Sequence, residues 1–405
     1  MPRKEETRLR AAATRLGLLL GSTTVALLLG EGILRAVVPD LVHSSCHCVW
    51  PPHMRVVFHP DPEIVPGVSG PSLFVTNSRG IRGEEIPEDP SYRILAVGGS
   101  TTESSFLDQT ETWTRLLQEK LSSSTPDRRV WVGNAGKSGL TTRDHVVQLK
   151  YLLPELPRID AILLLIGVND LALRNLQDSR YDPHFMSRAG AEGELLPRAF
   201  GVYPLQDPSL PWHRTTAVWQ LARNVKRRLR ATGREYQDQA GRNYVRWRSE
   251  RRNAARIRET MPDLTTALAE YSRNVGRLID LARERGVRPI FLTQPTLWRD
   301  DLPPDLTALL WVGRVGPEDG GGHEYYSVAV LAAEMKAYND MLLKTCRVRQ
   351  VECFDLASRV PRDGSVFYDD DHYNENGSRL VAELIHGFLR ERGPFRDPTR
   401  AAGGP

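Results

Sequence analysis

Apolar residues along this chain fall into three patterns. One uncharged run, Leu16 to Gly30, stands alone near the N-terminus. Short apolar runs then recur at Ile94–Val97, Arg129–Val132, Ala161–Ile166, Pro289–Thr293 and Val351–Phe354. Runs this short, most of them closed by turn residues, fit strands buried on both faces. Between them apolar residues return every three or four positions. Trp113, Leu116, Leu117 and Leu121 form one such face. Val146, Leu149 and Leu153 form another, Leu264, Leu268, Tyr271, Val275 and Leu278 a third, and Leu380, Val381, Leu384, Ile385 and Phe388 the last. A further helix is expected over Tyr326–Leu343. Strands alternating with helices predict an α/β fold with one parallel sheet of about five strands, doubly wound.

The strand over Ile94–Val97 ends in Gly98-Gly99, and Ser100 follows. Ligand and catalytic groups of open α/β sheets sit at the carboxyl ends of strands. A glycine pair there lets backbone approach a ligand and exposes amide N–H groups. Ser100 is therefore either a side chain presented to a site or a cap on the next helix. The second strand leads to Asn134-Ala135-Gly136-Lys137-Ser138-Gly139. Its GKS invites comparison with a phosphate-binding loop, but that motif needs a glycine where Trp131 stands, so it is rejected. The third strand ends in Gly167-Val168-Asn169-Asp170, another polar pair at the sheet edge.

The flanks add a membrane question. Arg3, Lys4, Arg8, Arg10 and Arg15 precede the apolar run, and Glu31 and Arg35, four apart, interrupt it before Pro39. Residues 16–38 are long enough for a transmembrane signal anchor, with 1–15 as a cytoplasmic basic tail. The rest is then extracytoplasmic, periplasmic or extracellular, on a single-pass membrane protein. A cleaved signal peptide is the rival, and it lacks a good cleavage site. Residues 39–90 are expected as a linker and N-terminal apron, 91–395 as the main domain and 396–405 as a disordered tail. Within the domain, 171–262 is a helical, Arg-rich insertion with an exposed basic surface. A loop from Trp311 to His323 is placed to act as a lid.

Composition changes this picture little. Fifty-four Lys and Arg against fifty Asp and Glu leave a net charge of +4, too small to point to nucleic acid. The four cysteines show no C-x-x-C pair, so a zinc ribbon is not expected. Cys346 and Cys353 suit a disulfide in an oxidising compartment. The ten histidines make no metal-ligand pattern, and neither metal nor cofactor is expected.

Ser100, Gly139, Asn169, and Asp369 with His372 all fall at strand ends or just before a helix. Acyl transfer needs such a set. A serine hydroxyl requires a base, histidine can be that base, and a carboxylate fixes its tautomer. Four blocks carry a resemblance to the SGNH hydrolases, also called GDSL esterases: Gly98–Thr101 (GGST), Asn134–Gly139 (NAGKSG), Gly167–Asp170 (GVND) and Asp369–His372 (DDDH). Order and spacing agree over roughly 90–180 and 285–392. Gly99 stands where that family has Asp. The GGST block, and Asn77–Gly83 (NSRGIRG) before the core, look like those of membrane-anchored bacterial members.

The resemblance implies a flavodoxin-like three-layer α/β/α fold. It implies Ser100 as nucleophile, His372 as base, and the Ser100 and Gly139 amides with the Asn169 side chain as oxyanion hole. Among Asp369, Asp370 and Asp371, spacing favours Asp369 as the partner of His372, leaving the other two to cap the helix near Asn374. The expected function is a serine esterase acting through an acyl-enzyme on an O-acyl ester of a glycan or lipid. The alternatives are an O-acyltransferase onto an extracytoplasmic glycan and a non-catalytic binding module. The oligomeric state is not legible.

Overall fold

The computed structural model describes residues 2–37, 46–89, 91–204, 211–222, 225, 240–316, 323–393 and 395. The five apolar runs form one sheet of strands β1 (Tyr92–Gly98), β2 (Val130–Asn134), β3 (Ala161–Leu165), β4 (Arg288–Leu292) and β5 (Glu352–Phe354). The order is β2-β1-β3-β4-β5, and every neighbouring pair is parallel. Strands β1 to β4 are buried along their whole length, which is why they read as unbroken apolar runs rather than alternating ones. The edge strand β5 is half-buried.

The longer helices are α1 (Pro2–Val37), α2 (Trp113–Ser124), α3 (Thr142–Glu155), α4 (Val168–Gln177), α5 (Arg242–Arg252), α6 (Thr265–Glu284), α7 (Val328–Arg349) and α8 (Glu375–Arg392). Helix α2 packs on α8, while α3 and α7 both pack on α6. These groups are the outer layers of a three-layer α/β/α fold. From β1 the chain goes outward to β2, then returns past β1 to β3. The strand order reverses between β1 and β3, and the crevice for a ligand opens at their carboxyl ends.

The chain packs as two compact units, Met1–Ser45 with Tyr203–Thr232, and Cys46–Val202 with Gly233–Pro405. In the first, Thr14–Val37 of α1 is a 24-residue stretch of mean hydropathy 1.7 with none of its residues fully buried. It is long and apolar enough to cross a membrane or to serve as a signal sequence. The tail 396–405 and positions 317–322 of the expected lid loop lie outside the described residues.

Residues 46–89 of the stretch expected as a linker and apron belong to the larger unit. Arg55–Phe58 and Ser72–Val75 pair as an antiparallel hairpin. Val65 and Val68 join Phe106, Leu107, Tyr244 and Tyr368 in a buried cluster. Charge and proline frequency hid this core, because its apolar residues come singly. Two disulfides are present, Cys346–Cys353 between α7 and β5, and Cys46–Cys48, which was not expected.

Candidate active site

The Ser100 side of the cleft starts at the end of β1. Gly99 accepts hydrogen bonds from the Thr102 and Glu103 amides, closing a single helical turn over Ser100–Glu103. Ser100 opens this turn at the mouth of the crevice. A Cβ on Gly99 would lie 2.3 Å from Asn169 Nδ2, so a larger residue here would displace the end of the Asn169 side chain. The neighbouring loop is fixed by Lys137 N–H donating to Gly98 O (3.1 Å) and Ala135 N–H donating to Ala96 O (2.8 Å). Gly139 takes φ +75°, a left-handed turn that favours glycine. Asn169 Nδ2 donates to Leu140 O (2.9 Å), and Asp170 accepts from the Thr142 amide and hydroxyl (3.1 and 2.6 Å). The ends of β1, β2 and β3 thus converge on Ser100, Gly139 and Asn169.

Arg82, in the NSRGIRG block, supports this side from beneath. Its fully buried guanidinium donates to Glu103 O (2.5 Å), Ser104 O (2.7 Å) and Leu107 O (2.7 Å). Burial pulls its pKa down to about 9, and Glu103 and Asp108 oppose that pull. The guanidinium still carries its charge at neutral pH.

The base side comes from the loop before α8. His372 Nδ1 lies 2.8 Å from Asp369 Oδ2, and Asp369 Oδ1 also accepts from the His372 amide (2.9 Å). Trp311 Nε1 donates to Asp369 Oδ2 (3.0 Å). Burial by itself would raise the Asp369 pKa. The charge of His372 and the hydrogen bonds from His372 and Trp311 outweigh it and hold the carboxyl below its ordinary range. An ionised carboxylate only accepts, so Nδ1 carries the proton that faces Asp369. Burial would lower the imidazole's pKa, but the Asp369 and Asp371 carboxylates raise it above its ordinary value.

The other two aspartates differ from expectation. Asp370 does not cap α8; Asn374 does, accepting from the Gly377 amide (2.9 Å). Asp370 instead accepts from Trp298 Nε1 (2.7 Å), Trp311 N–H (2.7 Å) and Val312 N–H (3.2 Å), tying down the loop that carries Trp311. Asp371 lies 3.4 Å from His372 Nδ1, and burial raises its pKa to about 7. Asp369, Asp371 and His372 bring potential metal-ligand atoms within 4.8 Å of one another. The Asp369 oxygens, however, are already engaged by four donors, a pattern that fits an imidazole-orienting carboxylate.

Ser100, Asn169 and His372 line one cleft of about 210 Å³. Gly139 is outside its lining, one residue from the carbonyl that holds Asn169. No hydrogen bond joins Ser100 to His372 among the described residues; such bonds tighten in the substrate complex. Part of the remaining wall comes from the loop expected as a lid, and the part from α5 was missed from sequence. Trp247 and Glu250 come from α5, and Trp311, Val312 and Arg314 from the loop after β4. Helix α5 was expected to be an exposed basic face, yet Arg248 and Arg251 are buried. Arg248 donates to Ile64 O (2.7 Å), Leu309 O (2.9 Å) and Tyr368 O (3.1 Å). Arg251 donates to Val312 O and Tyr326 O. Only the Arg-x-x-Arg spacing at 248 and 251 hinted at one helical face.

The model of the GDSL-like lipase/acylhydrolase family matches residues 96–380. The chain belongs to the GDSL-like lipase/acylhydrolase family. As a GDSL-like enzyme it is a serine ester hydrolase. Solved structures with related folds include LAE5, an alpha/beta hydrolase enzyme from the metagenome of Lake Arreo, Spain. It is 15% identical, with 75% of this chain and 96% of that one covered and a TM-score of 0.39. The acetylxylan esterase Axe2 from Geobacillus stearothermophilus is 14% identical over 75% and 94% of the two chains, with a TM-score of 0.39. A lipolytic G-D-S-L family protein from Veillonella parvula is 13% identical over 74% and 99%, with a TM-score of 0.38. No curated protein matches the chain. The match runs from Ala96, within β1, to Leu380, within α8. It thus takes in all four GDSL-like blocks, and Arg82 lies before it.

Proposed function

We propose that this GDSL-like hydrolase cleaves an O-acyl ester of a glycan or lipid through an acyl-enzyme on Ser100. The observation that carries this reading is the joint placement of Ser100, Asn169 and His372 on one cleft, with Asp369 holding His372 Nδ1. In the forward step Ser100 Oγ attacks the ester carbonyl carbon while His372 Nε2 takes the hydroxyl proton. The tetrahedral oxygen is stabilised by N–H donors, a role this reading gives to the Ser100 and Gly139 amides and the Asn169 side-chain amide. On collapse the carbon–oxygen bond to the carrier breaks and His372 returns the proton to the leaving alkoxide. Water, activated by His372, then hydrolyses the acyl-enzyme and frees the acid.

The cleft is smaller than the ~300–1,000 Å³ of sites that enclose drug-sized ligands. This size supports a short acyl group with its carrier projecting outward. Trp247 and Trp311, with ring centroids 4.8 Å apart, provide an apolar wall, and Glu250 and Arg314, 3.8 Å apart, add a charged pair. Such a lining suits a polar carrier. The N-terminal apolar stretch supports attachment to a membrane with the catalytic unit outside the cytoplasm.

Ser100→Ala should abolish turnover of a short-chain p-nitrophenyl ester while leaving the circular dichroism spectrum intact. Turnover at the wild-type rate would refute the nucleophile. Product analysis with a sugar acceptor present separates hydrolysis from acyl transfer, because water and a sugar hydroxyl compete for the same acyl-enzyme.

A further inference from the structure

Within the smaller unit, two charged residues of α1 make an unusual set of contacts. Glu31 Oε1 accepts from the Ala217 amide (2.9 Å) and Oε2 from the Val218 amide (3.0 Å). Arg35 donates from Nε to Glu31 Oε1 (2.7 Å) and from Nη2 to Thr215 O (3.1 Å). A segment some 180 residues further along the chain is therefore clasped to one turn of the apolar helix. The position of that turn matters. Thr14 to Gly30 spans about 25 Å at 1.5 Å per residue, close to the ~30 Å of bilayer hydrocarbon. If α1 crosses the membrane, Glu31 and Arg35 fall at its boundary, and the clasp brings residues 215–218 to the same level.

The clasped segment carries the side chains of that boundary. Trp212 is 80% exposed, and Leu221 and Val225 are exposed as well. These three apolar side chains thus face outward, whereas Ala217 and the polar Gln220 are buried. An exposed tryptophan beside exposed aliphatic residues is costly in water and favourable in the headgroup layer, where the ring's apolar body and its N–H are both satisfied. The sequence continues with Arg223, Lys226, Arg227, Arg228 and Arg230 and has no acidic residue between them. A basic cluster of this size is attracted to anionic lipid, at about 1 kcal/mol per cation near the surface.

We infer that residues 212–222 with Val225 are a second membrane contact, lying in the headgroup layer of an anionic bilayer and seated there by the Glu31–Arg35 clasp. This inference rests on α1 being a membrane span. It gives the 203–232 part of the Arg-rich insertion a role separate from that of α5. The first part of the segment supplies insertion, the basic run supplies lipid selection, and the clasp neutralises two charges that would otherwise meet hydrocarbon edge-on.

The test uses the full chain reconstituted in vesicles of phosphatidylcholine with one quarter phosphatidylglycerol, with plain or brominated acyl chains. Flotation reads the anchor, and bromine quenching of tryptophan reads the second contact. The expected result is that wild type and Trp212→Phe both float, while Trp212→Phe loses a measurable share of the quenchable emission. That share should shrink in pure phosphatidylcholine. Glu31→Gln should still float and show at least tenfold faster amide exchange at Ala217 and Val218. Floating protein whose quenchable emission is unchanged by Trp212→Phe would overturn the contact and leave the anchor standing. Equal quenching in pure phosphatidylcholine would overturn the anionic selection. Unchanged exchange in Glu31→Gln would overturn the clasp. Failure of wild type to float would refute the span itself and the inference with it.

Discussion

The two sides of the catalytic cleft are built by different means. Ser100 and Asn169 stand at the ends of adjacent parallel strands, so the sheet's hydrogen-bond ladder sets their separation. His372 has no strand beneath it. Its position depends on Asp369, on the loop tied down by Asp370, and on carbonyls held by Arg248 and Arg251. A ladder is cooperative and insensitive to any one side chain. A web of buried side-chain-to-carbonyl bonds fails locally, since losing one partner leaves a buried polar group unsatisfied. The base side should therefore be the fragile side of the site, and substitutions on the two sides should differ in kind.

The largest effect is expected at Asp369. Asp369→Asn presents a donor where an acceptor is needed and favours the wrong imidazole tautomer, so kcat should fall about 10⁴-fold with KM little changed. Steady-state kinetics on a p-nitrophenyl ester checks this, and a smaller loss than that of Asp370→Asn would move the acid to another residue. On the sheet side, Asn169→Ala should cost ~10²–10³ in kcat through the lost oxyanion donor, with melting temperature hardly altered. A rise in KM with kcat preserved would make Asn169 a ground-state contact.

Arg248→Gln separates the two constructions most clearly. It leaves the carbonyls of Ile64, Leu309 and Tyr368 short of a donor, and should cost roughly 3 kcal/mol of stability. A thermal melt should fall by several degrees, and kcat by about tenfold, because Tyr368 immediately precedes Asp369. An unchanged melt would show that the web is not what holds the base side.

The smallest effect is a shift in pH. The Asp369 and Asp371 carboxylates raise the His372 pKa, so the neutral base is lost at higher pH than for an ordinary histidine near 6.5. The acid limb of kcat/KM should accordingly lie above that value. Asp371→Asn removes one negative charge, lowers the imidazole pKa and should move the limb to lower pH. A limb that stays in place would mean that the Asp371 charge is not felt by His372.

The same contrast explains what was legible in the sequence. Strands β1 to β4 are buried on both faces, so composition alone marks them, and the turn residues after them mark Ser100, Gly139 and Asn169. His372 was marked by the resemblance of its block to that of the family, and the three-residue spacing chose Asp369 among the three aspartates. The rest of the base side was opaque because its inward-facing groups are arginines. Periodicity arguments count apolar residues as the buried face, whereas α5 turns Arg248 and Arg251 inward to carbonyls 61 to 184 residues away in sequence. Trp311 was legible only as the start of a loop, since its two hydrogen bonds to the aspartates depend on tertiary placement. Arg82 lay in a recognised block, but nothing local shows that it reaches under the Ser100 turn.

The central claim is that a serine on the sheet side is activated by a histidine held on the loop side. Labelling with a fluorophosphonate followed by peptide mapping tests it most directly, because the reagent reports the activated hydroxyl without needing the natural substrate. The account predicts a single adduct on Ser100 in wild type, and a labelling rate at least a hundredfold lower in His372→Gln. An adduct on another residue, or a Ser100 labelling rate unchanged in His372→Gln, would contradict it.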